Sequence, residues 1–296
     1  MKKRYKVLLL ALFFLLVSIL FVMFLQDHDV IVLNPKGIIG LKEKDLMITM
    51  TLLMLIVVVP VFLLTAFVIW KYRASNPKGA YKPDWDGSHL AETIWWGLPF
   101  VIVGIMGVIT WKSCVELDPF RPLEGAKKPL TVQVVALQWK WLFIYPEQGV
   151  ATVNLLQIPE KTPINFIITA DAPMNSFWIP QLGGQIYAMA GMTSKLHLIA
   201  DEVGTFYGLS ANISGVGFAG MNFLTKATTE EEFDLWVSSA KDSSNLLTLE
   251  EYNHLVIPSE NSPEKVYTLK EESLYDQIIM KYTMPSMGKE MECLEN

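Results

Sequence analysis

Cysteine is nearly absent: 296 residues hold only Cys114 and Cys293. Two thiols so far apart exclude a disulfide framework and a cysteine-based zinc module. The first reads as a small residue at a membrane exit, the second as an inert tail thiol. Histidine is scarce as well, with four in the chain, and His197 in the alternating run SKLHLIA reads as a structural histidine. Positive charge is in deficit, 24 Lys and Arg against 30 Asp and Glu, which argues against a nucleic-acid partner. The shortage is sharpest in the run YGLSANISGVGFAGM (207–221). Cysteines at 210 and 214 and a histidine at 218 would give it two thiolates and an imidazole beside the thioether of Met221, a set suited to a soft metal. It carries Ser210, Ser214 and Phe218 instead, and Met221 alone reads as core packing.

Apolar residues are abundant, 51% of the chain, and they concentrate before Lys112. Residues 46–70 and 93–111 are uncharged runs of 25 and 19. A hydrocarbon layer about 30 Å thick takes about 20 helical residues, so the runs predict transmembrane helices over 46–70 and 92–111. Pro60 and Pro99 are tolerable inside them because neighbouring helices satisfy the freed backbone groups. A third run, 7–25, follows Lys2, Lys3, Arg4 and Lys6 and lacks a small-x-small cleavage site, so residues 1–26 are either a retained first helix or a signal peptide. Lys71, Arg73, Lys78 and Lys82 in the 71–91 loop place that loop in the cytoplasm and everything after Lys112 outside it.

From Leu130 the chain alternates apolar and polar residues in short runs broken by Pro, Gly and Asn. Six to eight strands within 115–228 predict a β-sandwich or Greek-key barrel. After Thr228, a plausible N-cap, TTEEEFDLWVSSAK predicts a helix. LTLEEYNHLV and LKEESLYDQIIMKY predict two more, separated by the loop IPSENSPEKV. Tyr252, Tyr267, Tyr275 and Tyr282 give this 229–296 extension an aromatic face, turned either to the sandwich or to a partner. Met280, Met284, Met287 and Met291 read as part of a disordered terminus, with weak copper(I) binding as the alternative.

Two spans followed by an exported β-domain with an emptied metal loop resembles subunit II of the haem-copper respiratory oxidases. The stretches that carry the resemblance are LNPKGIIGL (33–41), WKYRASN (70–76), ETIWWGLP (92–99), TWK (110–112), QWKWLFIYPEQGVATVN (138–154), MNSFWIPQLGGQIYAMAGM (174–192) and SGVGFAGMNF (214–223). Within that family the chain is most similar to the bacterial cytochrome bo-type ubiquinol oxidases. The resemblance implies a membrane-anchored all-β fold: N-terminal transmembrane helices, a periplasmic cupredoxin-like Greek-key β-sandwich, and a short helical C-terminal extension.

In the cytochrome c oxidase branch this domain holds a binuclear copper centre. Carried onto this sequence, its ligand positions are Asn175, Ser210, Asn212 (a backbone carbonyl), Ser214, Phe218 and Met221, of which only Met221 keeps a ligand's chemistry. The resemblance therefore implies that this chain binds no cofactor. Haems and the copper of the oxygen site belong to subunit I, and electrons come from quinol, not cytochrome c. It further implies a proton-pumping complex with subunits I, III and IV in the bacterial inner membrane, the chain crossing the lipid more than once. Glu92 matches the glutamate at the mouth of a proton channel into subunit I; no catalytic residue is expected. Trp139 and Trp141 are expected to pack at the subunit I interface. Relatives usually carry a lipid-bearing cysteine just before the LNPKG-like stretch; here QDHDV, with His28, stands there, so lipidation is not expected.

Overall fold

The computed structural model describes residues 2–27, 30–76, 87–125 and 127–283. Cys293, Met284, Met287, Met291, Lys78, Lys82 and His28 lie outside the described residues. Three helices come first: α1 (Lys2–Asp27), α2 (Ile38–Lys71) and α3 (His89–Glu116). The chain divides into two compact units, Met1–Leu41 with Pro122–Asn296, and Lys42–Arg121.

The second unit is built on α2 and α3, both long and apolar enough to cross a membrane. They are apolar around their whole circumference, as a helix surrounded by lipid or by other helices must be. Both helices run through their prolines, Pro60 and Pro99. Each also outruns its uncharged stretch. Lys42, Glu43, Lys44 and Asp45 continue α2 upstream, and Lys112 to Glu116 continue α3 downstream. Lys and Glu are good helix formers, so the loss of hydropathy does not end the helix. At that end Lys42 Nζ meets Glu116 Oε1 at 2.5 Å. Cys114 is exposed on the last turn of α3.

The first unit is a two-sheet sandwich. Its strands are β1 (Leu130–Leu137), β2 (Lys140–Tyr145), β3 (Val150–Val153), β4 (Leu155–Pro159), β5 (Ile164–Ala170), β6 (Asn175–Trp178), β7 (Ile186–Ala188), β8 (Ser194–Leu198), β9 (Gly204–Ser210), β10 (Asn222–Thr228), β11 (Leu246–Leu247) and β12 (Lys265–Leu269). One sheet runs β11-β12-β3-β2-β1-β5-β8, the other β4-β10-β9-β6-β7. Three parallel pairings, β1 with β5, β10 with β4 and β11 with β12, interrupt the antiparallel ladders. Between the sheets Trp141, Phe143, Phe166, Phe177 and Phe223 are buried, with Phe177 and Phe223 stacked at 5.3 Å and Trp141 edge-on to both. His197 is buried on β8 opposite Asn165, in keeping with its structural reading.

The extension differs from its sequence reading in two places. The N-cap of α4 (Glu230–Lys241) is Thr229, not Thr228: Thr229 Oγ1 accepts from Glu232 N while the Glu232 carboxylate accepts from Thr229 N. Thr228 is still the last residue of β10. Between α5 (Leu249–Val256) and a sixth helix, α6 (274–283), KVYTL forms β12 and pairs with β3. Alternation puts Tyr267 and Leu269 inward, so this stretch completes the larger sheet where a loop was expected. Tyr252, Tyr267 and Tyr275 are buried in one cluster with Leu142, Ile144 and Val153, which settles the aromatic face as sandwich-directed.

The residues just before α2 and in its first turn are stitched to the sandwich. Lys36 N donates to Gln181 O (2.7 Å), Gly40 N to Leu182 O (3.1 Å) and Asp201 N to Lys36 O (2.9 Å). A Cβ on Gly37 would come within 2.6 Å of Ile199 O and 2.9 Å of Leu182 O, both backbone atoms that cannot turn aside. Gly37→Ala is therefore expected to cost about 1–3 kcal/mol, the usual penalty of overpacking. A denaturation midpoint equal to that of the parent chain would contradict this close approach.

Candidate functional site

The ligand-like positions come together where β6, β9 and β10 end. Ser210 closes β9 and Met221 precedes β10, while a 3-10 turn, Val216–Gly220, carries the chain between them. Ser210 N donates to Met221 O (3.1 Å) and Met221 N to Phe218 O (3.0 Å), so the loop's ends are held together by backbone. Ala211 N donates to Ser176 O (3.0 Å), tying the loop to β6.

Side chains fill the rest with hydrogen bonds. Buried Ser210 places its Oγ 3.0 Å from Asn175 Oδ1 and 3.3 Å from Asn212 O, to which it can donate its proton in turn. Asn175 Nδ2 donates to Pro173 O (2.8 Å) and Asn212 Nδ2 to Met174 O (2.9 Å). Met221 is 1% exposed and belongs to the core. Phe218 stands with Tyr207, Leu209 and Asn222 around an open cleft of about 400 Å³.

This donor set does not fit a binuclear copper centre. Hydroxyls and amides are hard, neutral donors, those of Asn175, Ser210 and Asn212 are already engaged in hydrogen bonds, and a phenyl ring donates nothing, whereas such a centre needs thiolates and imidazoles. The same geometry makes the site restorable. A chain with Asn175→His, Ser210→Cys, Ser214→Cys and Phe218→His is expected to take up copper and gain visible thiolate-to-copper absorption. The parent chain under the same copper should stay colourless. A folded but colourless variant would contradict the assignment of these positions.

Trp139 and Trp141 separate. Trp139 lies in the tight turn between β1 and β2, where Leu137 pairs with Lys140, and Trp141 follows it on β2. Trp139 takes φ 67, rare for so bulky a residue and fixed here by its ring's contacts. Its Nε1 donates to Ser214 O (3.3 Å), and its ring lies so close over Gly217 that a Cβ there would approach to 2.4 Å. Gly215, at φ 120, gives the loop the backbone turn that places it under the indole. Trp139 is half-buried and keeps some surface. Trp141 is 0% exposed, enclosed by Phe177 and Phe223, so the expectation that it faces another subunit is corrected: it has no surface to offer. The contact of Trp139 with the loop was missed in the sequence, although glycines at 215 and 217 with a tryptophan in a tight turn were its traces.

Glu92 lies in the first turn of α3, which Ser88 caps by accepting from Ala91 N. A carboxylate there is favoured by the helix dipole. Its Oε2 is 3.7 Å from His89 Nδ1, one turn back, and its side chain is 43% exposed. Its carboxylate is therefore partly open to solvent at the start of a membrane-capable helix.

Comparison with known proteins agrees with this geometry. The family described as cytochrome c oxidase subunit II, periplasmic domain, matches residues 150–228, and the COX aromatic-rich motif matches 241–286. The cytochrome bo(3) ubiquinol oxidase subunit 2 of Pseudomonas aeruginosa is 54% identical over 86% of this chain and 77% of its own length. That of Pseudomonas putida is 51% identical over 87% and 82%, and the ubiquinol oxidase subunit 2 of Acetobacter aceti 50% identical over 85% and 82%. Together the two apolar helices and the subunit II domain make this a membrane-anchored protein with a periplasmic domain. With the sandwich, the aromatic extension and these relatives in agreement, the chain belongs to the ubiquinol oxidase subunit 2 family.

Proposed function

We propose that the chain works as subunit II of a proton-pumping terminal oxidase of the bacterial inner membrane, which oxidises quinol and reduces oxygen to water. The observation that carries this reading is the hydrogen-bonded set of Asn175, Ser210 and Asn212 at positions where a copper-bearing relative would place ligands. A domain so filled has no redox centre for cytochrome c to reduce. Electrons then pass from quinol to the haems and copper of subunit I without crossing this chain, whose own work is structural and protonic. It stabilises subunit I and covers its outer face, in company with subunits III and IV. Trp139, the tryptophan with free surface, is the proposed contact to subunit I.

Glu92 is the proposed proton-uptake carboxylate at the mouth of a channel into subunit I. Support comes from its place in the first turn of α3 and its partial exposure. A carboxylate accepts a proton from water, releases it inward and is recharged, which requires contact with both sides and no chemistry on oxygen.

Affinity purification of the tagged chain from gently solubilised membranes tests the reading. Subunit I should follow in constant ratio and bring the haem absorption with it. A chain recovered free of haem from oxygen-respiring cells would favour a membrane-anchored assembly or binding protein with no part in turnover.

A further inference from the structure

A second cavity, of about 420 Å³, opens between α5, the 257–263 loop and the start of β12; Lys140, Lys265, His254, Glu251 and Glu260 are among its lining residues. Lys140 decides its character. The residue is 3% exposed, and its Nζ donates to Leu255 O and Ile257 O, both at 2.9 Å, capping the C-terminal end of α5. Those carbonyls carry only the partial negative charge of a helix end. Among the described residues no carboxylate forms an ion pair with Lys140, and its third N–H has no acceptor. Burial, together with the like charge of Lys265, depresses its pKa. A buried ammonium facing a second ammonium without a counter-charge is costly unless an anion joins them.

Among the described residues neither carboxylate of the lining forms an ion pair with Lys140 or Lys265. Glu251 is engaged by Tyr267, whose OH donates to Oε1 at 3.0 Å, and Glu260 is exposed. Ser259 and Ser262, joined through their hydroxyls at 2.7 Å, add neutral hydrogen-bonding groups. We infer that this cavity is a binding site for a small oxyanion of the phosphate type, held by the Lys140 and Lys265 ammoniums with the Ser259 and Ser262 hydroxyls beside them. A free phosphate ion and the phosphate of an anionic lipid share this chemistry.

Hydrogen exchange of the amides of 249–263 in the intact purified complex tests it, comparing inorganic phosphate with chloride at equal ionic strength. At phosphate about ten times its Kd, exchange limited by local opening should slow about tenfold, because a ligand of the closed form stabilises it by mass action. Lys265→Gln, at an exposed position, should abolish that protection while leaving the fold intact. Lys140→Gln should abolish it too, and the surface variant keeps the test decisive if the buried one fails to fold. A parallel pair of nanodiscs, phosphatidylglycerol and phosphatidylcholine, separates the sources: protection by phosphatidylglycerol alone assigns a lipid headgroup, protection by free phosphate a soluble ion. Equal exchange under all four conditions, or protection that survives Lys265→Gln, would overturn the site.

Discussion

Glu92→Gln is expected to slow quinol-driven oxygen uptake by the assembled oxidase about tenfold or more, since a positioned proton-transfer group contributes about 10²–10⁴ in rate where its step is limiting. The amide matches the carboxylate in size and leaves the cap of α3 by Ser88 in place. Assembly and haem content should therefore be those of the parent. What the amide cannot do is take up and release a proton at this pH, so the loss should appear in turnover and in protons translocated together. Glu92→Asp, which keeps an acid on a shorter arm, should recover part of the rate. Turnover unchanged in Glu92→Gln would remove the carboxylate from the proton path and leave it as a favourable charge at a helix start.

Asp171→Ala is expected to loosen the C-terminal extension and to cost about 2–4 kcal/mol, a buried ion-pair loss discounted because Lys281 is half exposed. Asp171 is itself buried just after β5 and binds three groups of the extension. Tyr252 OH donates at 2.7 Å, Lys281 Nζ at 2.8 and 2.9 Å, and Tyr282 OH also donates to Oδ1. One carboxylate thus fastens α5 and α6 to the sandwich. Burial works to raise its pKa, but the hydrogen bonds from Lys281, Tyr252 and Tyr282 and the charge of Lys281 outweigh it and hold the carboxyl below its ordinary range. The sign follows: a depressed folded-state pKa gives stability that is full above the unfolded value, about 3.9, and is lost as pH falls through the folded value. Proteolysis within 249–283 should accordingly set in as the parent is taken below about pH 4, and at neutral pH in Asp171→Ala. An extension equally resistant in both chains would show that its buried tyrosines hold it without the carboxylate.

How much of this was legible in the sequence depended on whether the cue was local. The two spans were plain because an uncharged run of about 20 residues has few other uses. Their true ends were not, since Lys42 to Asp45 and Lys112 to Glu116 keep helical backbone after the apolar cue stops. Strand β12 hid because KVYTL is short and follows the Pro- and Ser-rich 257–263 stretch; its identity is set by pairing with β3, more than a hundred residues away. The emptied loop could be read from spacing and resemblance, but not what replaced the ligands. That Ser210 reaches Asn175 is a contact across 35 residues. Trp139 and Trp141 sit two apart in one motif, yet the turn sends one over the loop and the other into the core. Asp171 gave no trace, because its three partners lie 81 to 111 residues away.

The central claim is that a subunit II domain filled with hydroxyls and amides where copper ligands would stand belongs to an oxidase fed by quinol. Oxygen uptake by the purified complex, offered reduced quinol and reduced cytochrome c in parallel, tests it most directly. The account predicts uptake with quinol and none with cytochrome c; uptake driven by cytochrome c would contradict it.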